Sequence, residues 1–210
     1  MIILYYGAGA CSMASHITVE ETGVPYETYS VNMAQREHKS PEYLKIHPHG
    51  KVPALKVDND VIIENVAIQY YLAAKYPQAN LAPKEPMQGA QWIAANAWMS
   101  NTVHPSFGRW NRPMNFTPDE SAHEKIKELG KQAFWENLQE LDRRLEGKQW
   151  MMGSQYTTSD PYALVFYGWG MRPNLPLKDL KNFTAFKDRM LKRPAVQKVL
   201  EREKSPILTY

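Results

Sequence analysis

Cys11 is the only cysteine in this chain of 210 residues, and it follows a turn of small residues, Gly7-Ala8-Gly9-Ala10. The thiolate is the reactive form of cysteine, and the N–H groups at the start of a helix lower a thiol pKa. Because residues 12–22 are predicted to be helical, Cys11 is a candidate nucleophile with a lowered pKa. A buried, inert cysteine fits the same position equally well. The missing second cysteine excludes an internal disulfide and a dithiol redox cycle.

Two further segments offer groups that bind an extended peptide or a carboxylate. Pro53 lies at the start of a predicted strand, where the preceding Val52 can offer its backbone N–H and C=O groups to a peptide ligand. Glu64 and Asn65 precede a predicted helix, whose first N–H groups could hold a carboxylate. An ordinary edge proline and an ordinary helix cap are the plainer interpretations of these residues.

The six histidines give no sign of a metal site, because no two of them have convincing metal-ligand spacing. His104 lies in a predicted helix rich in tryptophan, where a histidine is more often a packed, hydrogen-bonded core residue than a catalyst. Gly50-Lys51 is not a phosphate-binding loop, since no glycine-rich run precedes it.

The predicted secondary structure that positions these residues changes near residue 78, from mixed strands and helices to helices alone. Residues 1–77 are predicted to form a βαβ unit followed by a ββα unit, with Gly23 ending the first helix. The proline-bearing segment 78–88 is the predicted linker, and residues 89–210 are predicted to be all-helical. The predicted strands are 2–6, 26–31, 52–57 and 61–63; the predicted helices are 12–22, 67–75, 90–110, 121–145, 160–169, 180–189 and 194–203.

Composition excludes several function classes. A net charge of +3 without a dense basic run argues against nucleic-acid binding. No apolar run approaches the roughly 18 residues that span a bilayer, and the first residues do not form a signal peptide. A cytoplasmic protein without a membrane segment or a disulfide is the expectation.

Together, the motifs resemble the glutathione transferase family and most closely its bacterial beta class. The motifs occur in order: Tyr6 with Gly9-Ala10-Cys11-Ser12; His47-Pro48-His49-Gly50-Lys51-Val52-Pro53-Ala54-Leu55; Glu64-Asn65; Ser100-Asn101-Thr102-Val103-His104; and Thr157-Thr158-Ser159-Asp160. The last of these is also a variant capping box by its local pattern, with Asp160 reaching back to the cap. The resemblance covers essentially the whole chain. It implies a thioredoxin-like domain, a linker and a helical domain.

The resemblance also implies site roles. Val52 would pair its backbone with the cysteinyl part of glutathione, ahead of a cis bond to Pro53. Glu64 and Asn65 would hold the γ-glutamyl end, and Arg36 the glycyl carboxylate. Tyr6, Cys11 and His104 would surround the glutathione sulfur as catalytic residues. Asn101 would belong to the glutathione-binding residues.

The resemblance implies attack by glutathione thiolate on small electrophiles, or thiol–disulfide exchange through Cys11. It also implies a homodimer that takes glutathione as its substrate and needs no metal. A non-catalytic binding or regulatory protein on the same fold is the alternative. An apolar second-substrate pocket is expected near Phe107, Trp110 and Trp169. The chain departs from the family pattern at Lys51, Asn65, Ala97 and Pro161.

Overall fold

A four-stranded mixed sheet forms the centre of the first domain. The computed structural model describes residues 1–172 and 175–210. The strands are β1 (Ile2–Tyr6), β2 (Glu27–Ser30), β3 (Ala54–Val57) and β4 (Asp60–Ile63), in the order β2-β1-β3-β4. Strand β1 is parallel to β2 and antiparallel to β3, with Leu4 opposite Leu55. Strands β3 and β4 form the predicted antiparallel hairpin.

Three helices complete this domain: α1 (Ser12–Glu21), the short α2 (Pro41–Leu44) and α3 (Asn65–Lys75). Gly23 has a φ of +71°, the left-handed conformation that lets glycine follow a helix end. Alternate residues of β1 are buried against α1 and α3, where Leu4, Ile68 and Leu72 are fully buried. The predicted thioredoxin-like order of elements is confirmed.

The second domain is helical, as predicted. Its helices are α4 (Pro86–Trp98), α5 (His104–Asn111), α6 (His123–Arg144), α7 (Ser159–Met171), α8 (Lys181–Met190) and α9 (Pro194–Arg202). The single helix expected over residues 90–110 is wrong, because a π-helical turn, Met99–Val103, separates α4 from α5. Helix α4 begins inside the expected linker, where the Glu85 side chain accepts the Gln88 N–H at 2.9 Å. The domain limits themselves stay a prediction.

Helix α7 runs through the core of the second domain, and the predicted capping residue, Asp160, lies in its first turn. The Asp160 carboxylate accepts the backbone N–H groups of Met151 and Thr157, each at 2.7 Å. Burial raises the pKa of this carboxyl to about 7, although these hydrogen bonds act to lower it. Pro161 is accommodated in the first turn, where a missing N–H costs nothing. The predicted capping role of Asp160 is confirmed.

The two domains share a core along α1. Met13 and Ile17 of this helix belong to the apolar cluster of the helical domain, so α1 is packed on both sides. Within residues 1–172 and 175–210, every helix is too short or too polar to cross a bilayer. Because α1 begins next to Cys11, this shared packing fixes the loop that carries the cysteine.

Candidate functional site

Cys11 occupies the N-cap of α1 and is half-buried. Its Sγ donates to the Val52 carbonyl oxygen at 3.4 Å, so the cysteine faces the segment that precedes β3. The turn before it is closed by Ser12, whose hydroxyl accepts the Gly7 N–H at 3.0 Å and donates to the Gly7 carbonyl at 3.1 Å. The structure therefore brings the predicted thiol and the predicted peptide-binding residue together.

The direction expected for the Cys11 pKa is wrong. Burial raises the pKa of the thiol to about 12, and the charge of Glu64 raises it further. A hydrogen bond from Asn65 and the charge of Lys51 lower it by less. Apolar surroundings raise the pKa of a thiol, and here their effect outweighs that of the helix start. At neutral pH Cys11 is consequently a thiol and a hydrogen-bond donor.

The Val52–Pro53 peptide bond is cis, which confirms that expectation. Val52 lies outside the β-ladder, which begins at Ala54, so its backbone is not taken up by the register of β3. The neighbouring Lys51 carbonyl accepts the hydroxyl of the buried Tyr43 at 2.6 Å. The Tyr43 hydroxyl holds this segment in place, and the Val52 carbonyl of the same segment faces Cys11.

Glu64 is exposed and has a φ of 74° and a ψ of 125°, a conformation that residues with a side chain rarely adopt. Such backbone strain costs about 1–3 kcal/mol and persists mainly where function requires it. The Glu64 charge acts to raise the pKa of both Cys11 and His47. Within the described residues, the Glu64 carboxylate forms no ion pair, so an ammonium group could bind to it.

Asn65 departs from the role expected for its side chain. It is 5% exposed; its amide donates to the Cys11 carbonyl at 3.0 Å and its oxygen accepts the Ser15 hydroxyl at 2.6 Å. A buried amide must satisfy its polar atoms within the protein, so this side chain supports the cysteine loop. The backbone N–H at the start of α3 remains the group with which Asn65 could meet a carboxylate.

His104 is the first residue of α5 and contacts residues of α7. Its Nδ1 shares a hydrogen bond with the Tyr162 hydroxyl at 3.3 Å, and its ring packs edge-on against Trp169 at 4.8 Å between centroids. Burial, with the charges of Lys51 and Arg112, lowers the pKa of His104 to about 4. The ring is therefore neutral at neutral pH. A neutral imidazole can donate or accept a hydrogen bond but supplies no positive charge to a thiolate.

Tyr162 is a site residue that the sequence analysis missed. It is 1% exposed, and its pKa is raised by burial and by the nearby Cys11, while hydrogen bonds from Ser100 and Asn65 lower it. Its hydroxyl lies among Cys11, Asn65 and His104, between the two domains. Its place in the first turn of the predicted core helix could have indicated this residue, since a buried tyrosine needs a hydrogen-bond partner for its hydroxyl.

Three predicted site residues lie in other surroundings than Cys11. Tyr6 lies on the core face of β1 with its ring 4.7 Å from that of His16. Arg36 is exposed at the start of a 3₁₀ turn, Glu37–Lys39, and Asn101 is exposed in the π-helical turn. The roles expected for these three side chains stay predictions. For Tyr6 the alternation with Ile2 and Leu4 already indicated the core face.

The helical domain also holds the loop that leads to Cys11. The Trp169 indole N–H donates to the Gly9 carbonyl at 3.2 Å, and the Arg172 guanidinium donates to the same oxygen. On the other side, the Gly9 N–H donates to the buried Glu203 carboxylate at 3.1 Å. Gly9 has a φ of +68°, and a Cβ there would lie 2.9 Å from Arg172, so the loop requires glycine at this position.

The three aromatic residues expected near the second substrate lie together. Phe107 stacks on Trp169 with centroids 4.4 Å apart, and Trp110 packs edge-on against Phe107. Phe107 and Trp169 are 6% and 5% exposed, so most of their side-chain surface packs in the core. In the described part of the chain, no group of three or more His, Cys, Asp or Glu side chains is arranged to hold a metal ion.

Comparison with known proteins agrees with this geometry. The family model for the N-terminal domain of glutathione S-transferases matches residues 1–74, and the model for the C-terminal domain matches residues 96–194. Glutathione S-transferase GstA of Escherichia coli O157:H7 is 34% identical over 203 residues, covering 95% of this chain and 98% of the relative.

Two solved structures have the same architecture. A glutathione transferase homologue from Sulfitobacter, with bound glutathione, has a TM-score of 0.92 at 27% identity, covering 96% of this chain and 98% of the other. A beta class glutathione S-transferase from Sphingomonas chungbukensis has a TM-score of 0.84 at 31% identity, with coverage of 96% and 98%.

Proposed function

This chain belongs to the glutathione S-transferase family, and from that premise we propose that it is a cytoplasmic enzyme that conjugates glutathione to small electrophiles. The observation that carries the proposal is the position of the Cys11 thiol, 3.4 Å from the carbonyl oxygen of Val52, the residue before cis-Pro53. A backbone that can pair with a cysteinyl peptide then lies beside the one thiol of the chain. Detoxification of reactive compounds is the physiological role that this chemistry would serve.

Glutathione offers one ammonium, two carboxylates and a thiol, and the site holds a complementary group for each. Val52 would pair with the cysteinyl backbone, which carries the sulfur to Cys11. Glu64 would receive the γ-glutamyl ammonium in a charge-assisted hydrogen bond. The first N–H groups of α3, at Asn65, would hold the γ-glutamyl carboxylate. Arg36 is the proposed partner of the glycyl carboxylate.

Catalysis in this proposal consists of stabilising the glutathione thiolate. Its S–H proton leaves to solvent, the sulfur forms a bond to the electrophilic carbon, and the leaving group departs with its electron pair. Because burial keeps the pKa of Cys11 near 12, its neutral thiol can donate a hydrogen bond to that thiolate. The Tyr162 hydroxyl and the neutral His104 ring are further hydrogen-bonding groups on the opposite wall.

Thiol–disulfide exchange is a second candidate, favoured by the place of Cys11 at the expected position of the glutathione sulfur. A Cys11 thiolate would attack a glutathionyl disulfide, forming a Cys11–glutathione disulfide and releasing the other thiolate. A second glutathione thiolate would then release glutathione disulfide and restore Cys11. The raised pKa of Cys11 makes the attacking thiolate scarce, so conjugation is the better supported activity.

The two activities separate in variants of Cys11. We expect Cys11→Ala to lower conjugation of glutathione to a reactive aryl halide by about ten- to a hundredfold, the loss of one hydrogen bond to a charged sulfur. Cys11→Ser keeps a donor and is expected to stay within about fivefold of the wild type. Thiol transfer should disappear in both variants, since no other cysteine can form the mixed disulfide.

Each result of these assays decides between candidates. Conjugation at the wild-type rate in Cys11→Ala would remove Cys11 from the mechanism. Thiol transfer that exceeds conjugation in the wild type, with one glutathione added to the intact mass, would favour the exchange enzyme. Saturable glutathione binding with neither activity would support the alternative, a binding or regulatory protein on this fold.

Glutathione binding is tested at Glu64. Glu64→Ala removes the carboxylate proposed for the ammonium and should weaken glutathione binding, measured by calorimetry, by about tenfold or more. Glu42→Ala, at another exposed glutamate of the first domain, is the matched control and should leave affinity within about twofold. A change under threefold at Glu64 would contradict the proposed binding mode.

We also expect a homodimer, with a second copy of this chain on the apolar groove between α3 and α4. The groove has a volume of about 340 Å³ and includes Tyr70, Trp92 and Ile93 in its lining. Tyr70 is 55% exposed and Ile93 is 38% exposed, a large apolar area to leave in water. Sedimentation of the wild type as a dimer, and of Tyr70→Glu as a monomer, would support this assembly. A wild-type monomer at micromolar concentration would overturn it.

A further inference from the structure

Two arginines extend the wall of the helical domain beyond His104. Arg112 directly follows α5, and its backbone N–H donates to the Gly108 carbonyl at 2.8 Å. Arg172 directly follows α7, where its guanidinium donates to the Gly9 carbonyl and lies 6.0 Å from the centre of the Phe107 ring. The Gly9 turn leads into Cys11, so Arg172 lies beside the reaction centre.

These arginines belong to a larger set of cations gathered from both domains, called here the basic rim. The Arg112 charge acts on His104, on Arg172 and on His38, lowering the pKa of each together with burial. Lys51 acts on His104 from the first domain. The basic rim consists of Arg36, Lys39, Lys51, Arg112 and Arg172.

The basic rim is poor in counter-charges. Within residues 1–172 and 175–210, the ion pairs all involve other groups, and no carboxylate lies within 4.0 Å of a rim cation. Arg193, by contrast, is paired with Glu21 at 2.7 Å. Like charges that are held close together without counter-charges favour the binding of anions.

Glutathione would balance only part of this charge. In the binding mode proposed above, the ammonium uses Glu64, the γ-glutamyl carboxylate uses the start of α3, and the glycyl carboxylate uses a rim cation of the first domain. Arg112 and Arg172 then remain unbalanced. Arg172 lies 6.0 Å from the centre of the Phe107 ring, which is stacked on Trp169, and Arg112 directly follows α5, the helix that carries Phe107. The aromatic rings of this wall therefore have a guanidinium group beside them and a second arginine at the end of the same helix.

We propose that the second substrate is an anionic electrophile, a small molecule with a carboxylate or another fixed negative charge close to its reacting carbon. Arg112 and Arg172 would bind the anionic group, and Phe107 and Trp169 would border an attached aromatic ring. This inference rests on the proposed function. A guanidinium recognises a planar carboxylate through two parallel hydrogen bonds, which gives orientation as well as affinity.

The test compares two aryl chlorides that differ in charge, 4-chloro-3,5-dinitrobenzoate and the neutral 1-chloro-2,4-dinitrobenzene. In both, the glutathione sulfur bonds to the ring carbon, chloride leaves with its electron pair, and the thiol proton goes to the buffer. Each kcat/KM is divided by the uncatalysed rate constant with glutathione, which removes the difference in intrinsic reactivity. We expect the normalised value to be about tenfold or more higher for the benzoate at low salt.

Salt and one charge-removing variant then locate the origin of the preference. About 0.5 M sodium chloride should reduce the preference to within about threefold, because the guanidinium groups are reached by solvent. Arg112→Gln should reduce it about fivefold or more. Arg109→Gln removes the same charge from an exposed position on the same helix and should change it less than twofold. Arg112 is chosen over Arg172, whose bond to Gly9 also shapes the cysteine loop.

The two proposals fail in different ways. Absence of catalysis with both aryl chlorides would overturn the proposed function itself. Conjugation of both without a preference for the benzoate would overturn the anionic-substrate proposal and leave the transferase in place. A preference that survives salt, or that Arg109→Gln removes as strongly as Arg112→Gln, would also overturn it. Because the salt test uses the wild type, the proposal stays testable even if Arg112→Gln does not fold.

Discussion

Two regions of this protein place an ionisable side chain at the start of a helix, and they differ in how the polar atoms of that side chain are used. At α7, Asp160 accepts two backbone N–H groups at 2.7 Å. At α1, the Cys11 Sγ donates to the Val52 carbonyl over a longer distance, 3.4 Å. The carboxylate is a fixed part of the fold, whereas the thiol can exchange its weak partner for a ligand without leaving a strong hydrogen bond behind.

His104 belongs with Cys11 in this comparison. Its hydrogen bond to Tyr162 is 3.3 Å long, and burial keeps its ring uncharged at neutral pH. Between the two domains, Cys11 and His104 are therefore neutral and form long, weak hydrogen bonds. At α7, the buried Asp160 forms short, strong ones. The difference separates a candidate site, where a ligand could replace weak contacts, from a helix start that strong hydrogen bonds hold in place.

The largest expected effect is on the reactivity of Cys11. With a pKa near 12, about one thiol in ten thousand is ionised at pH 8, against roughly one in ten for an ordinary cysteine. Alkylation by iodoacetamide, followed by intact mass, should be about a thousandfold slower in the folded chain than in the same chain unfolded in urea. Rates within tenfold of each other would show that Cys11 is a reactive thiol after all.

The second effect is on stability at α7. Asp160→Ala leaves two buried N–H groups without partners and should lower the free energy of unfolding by about 3 kcal/mol, measured by urea denaturation. Asp179→Ala, at an exposed aspartate of the same domain, should change it by less than about 0.5 kcal/mol. A loss under 1 kcal/mol at Asp160 would remove the contrast between the two helix starts.

The third effect is on the titration of His104. Its ring resonances should titrate near pH 4 in the folded protein, against about 6.5 in the unfolded chain. Between these values the unfolded state binds more protons, so the stability that His104 contributes should rise as the pH rises from 4 to 6.5. Urea denaturation of the wild type and His104→Gln over this range measures it. A titration above pH 6 would mean that the cleft admits a charged ring.

The smallest effect is on stability at Cys11. Because its hydrogen bond to Val52 is long and sulfur is a weak donor, Cys11→Ala should change the free energy of unfolding by less than about 1 kcal/mol. The activity loss expected for this variant then comes without unfolding. A destabilisation comparable to that of Asp160→Ala would mean that Cys11 serves mainly in packing.

Much of the fold followed from local patterns. The alternation in β1, the glycine after α1 and the capping residues before α7 each predict an element that the structure contains. The break between α4 and α5 did not follow, because the π-helical turn Met99–Val103 contains no glycine or proline to mark it, and Pro105 comes after it, in the first turn of α5.

The sequence by itself determined which chemistry is available: one thiol, a proline after Val52, a glutamate before α3 and a histidine in the helical part. Tertiary structure alone decided the state of these groups. It shielded Cys11 and His104 from water so that both are neutral, turned Asn65 toward the cysteine loop, and brought the Tyr162 hydroxyl to His104 and the Arg172 guanidinium to Gly9. The physical reason is that capping and strand alternation act over a few residues, whereas burial and Coulomb forces depend on groups far apart in the chain.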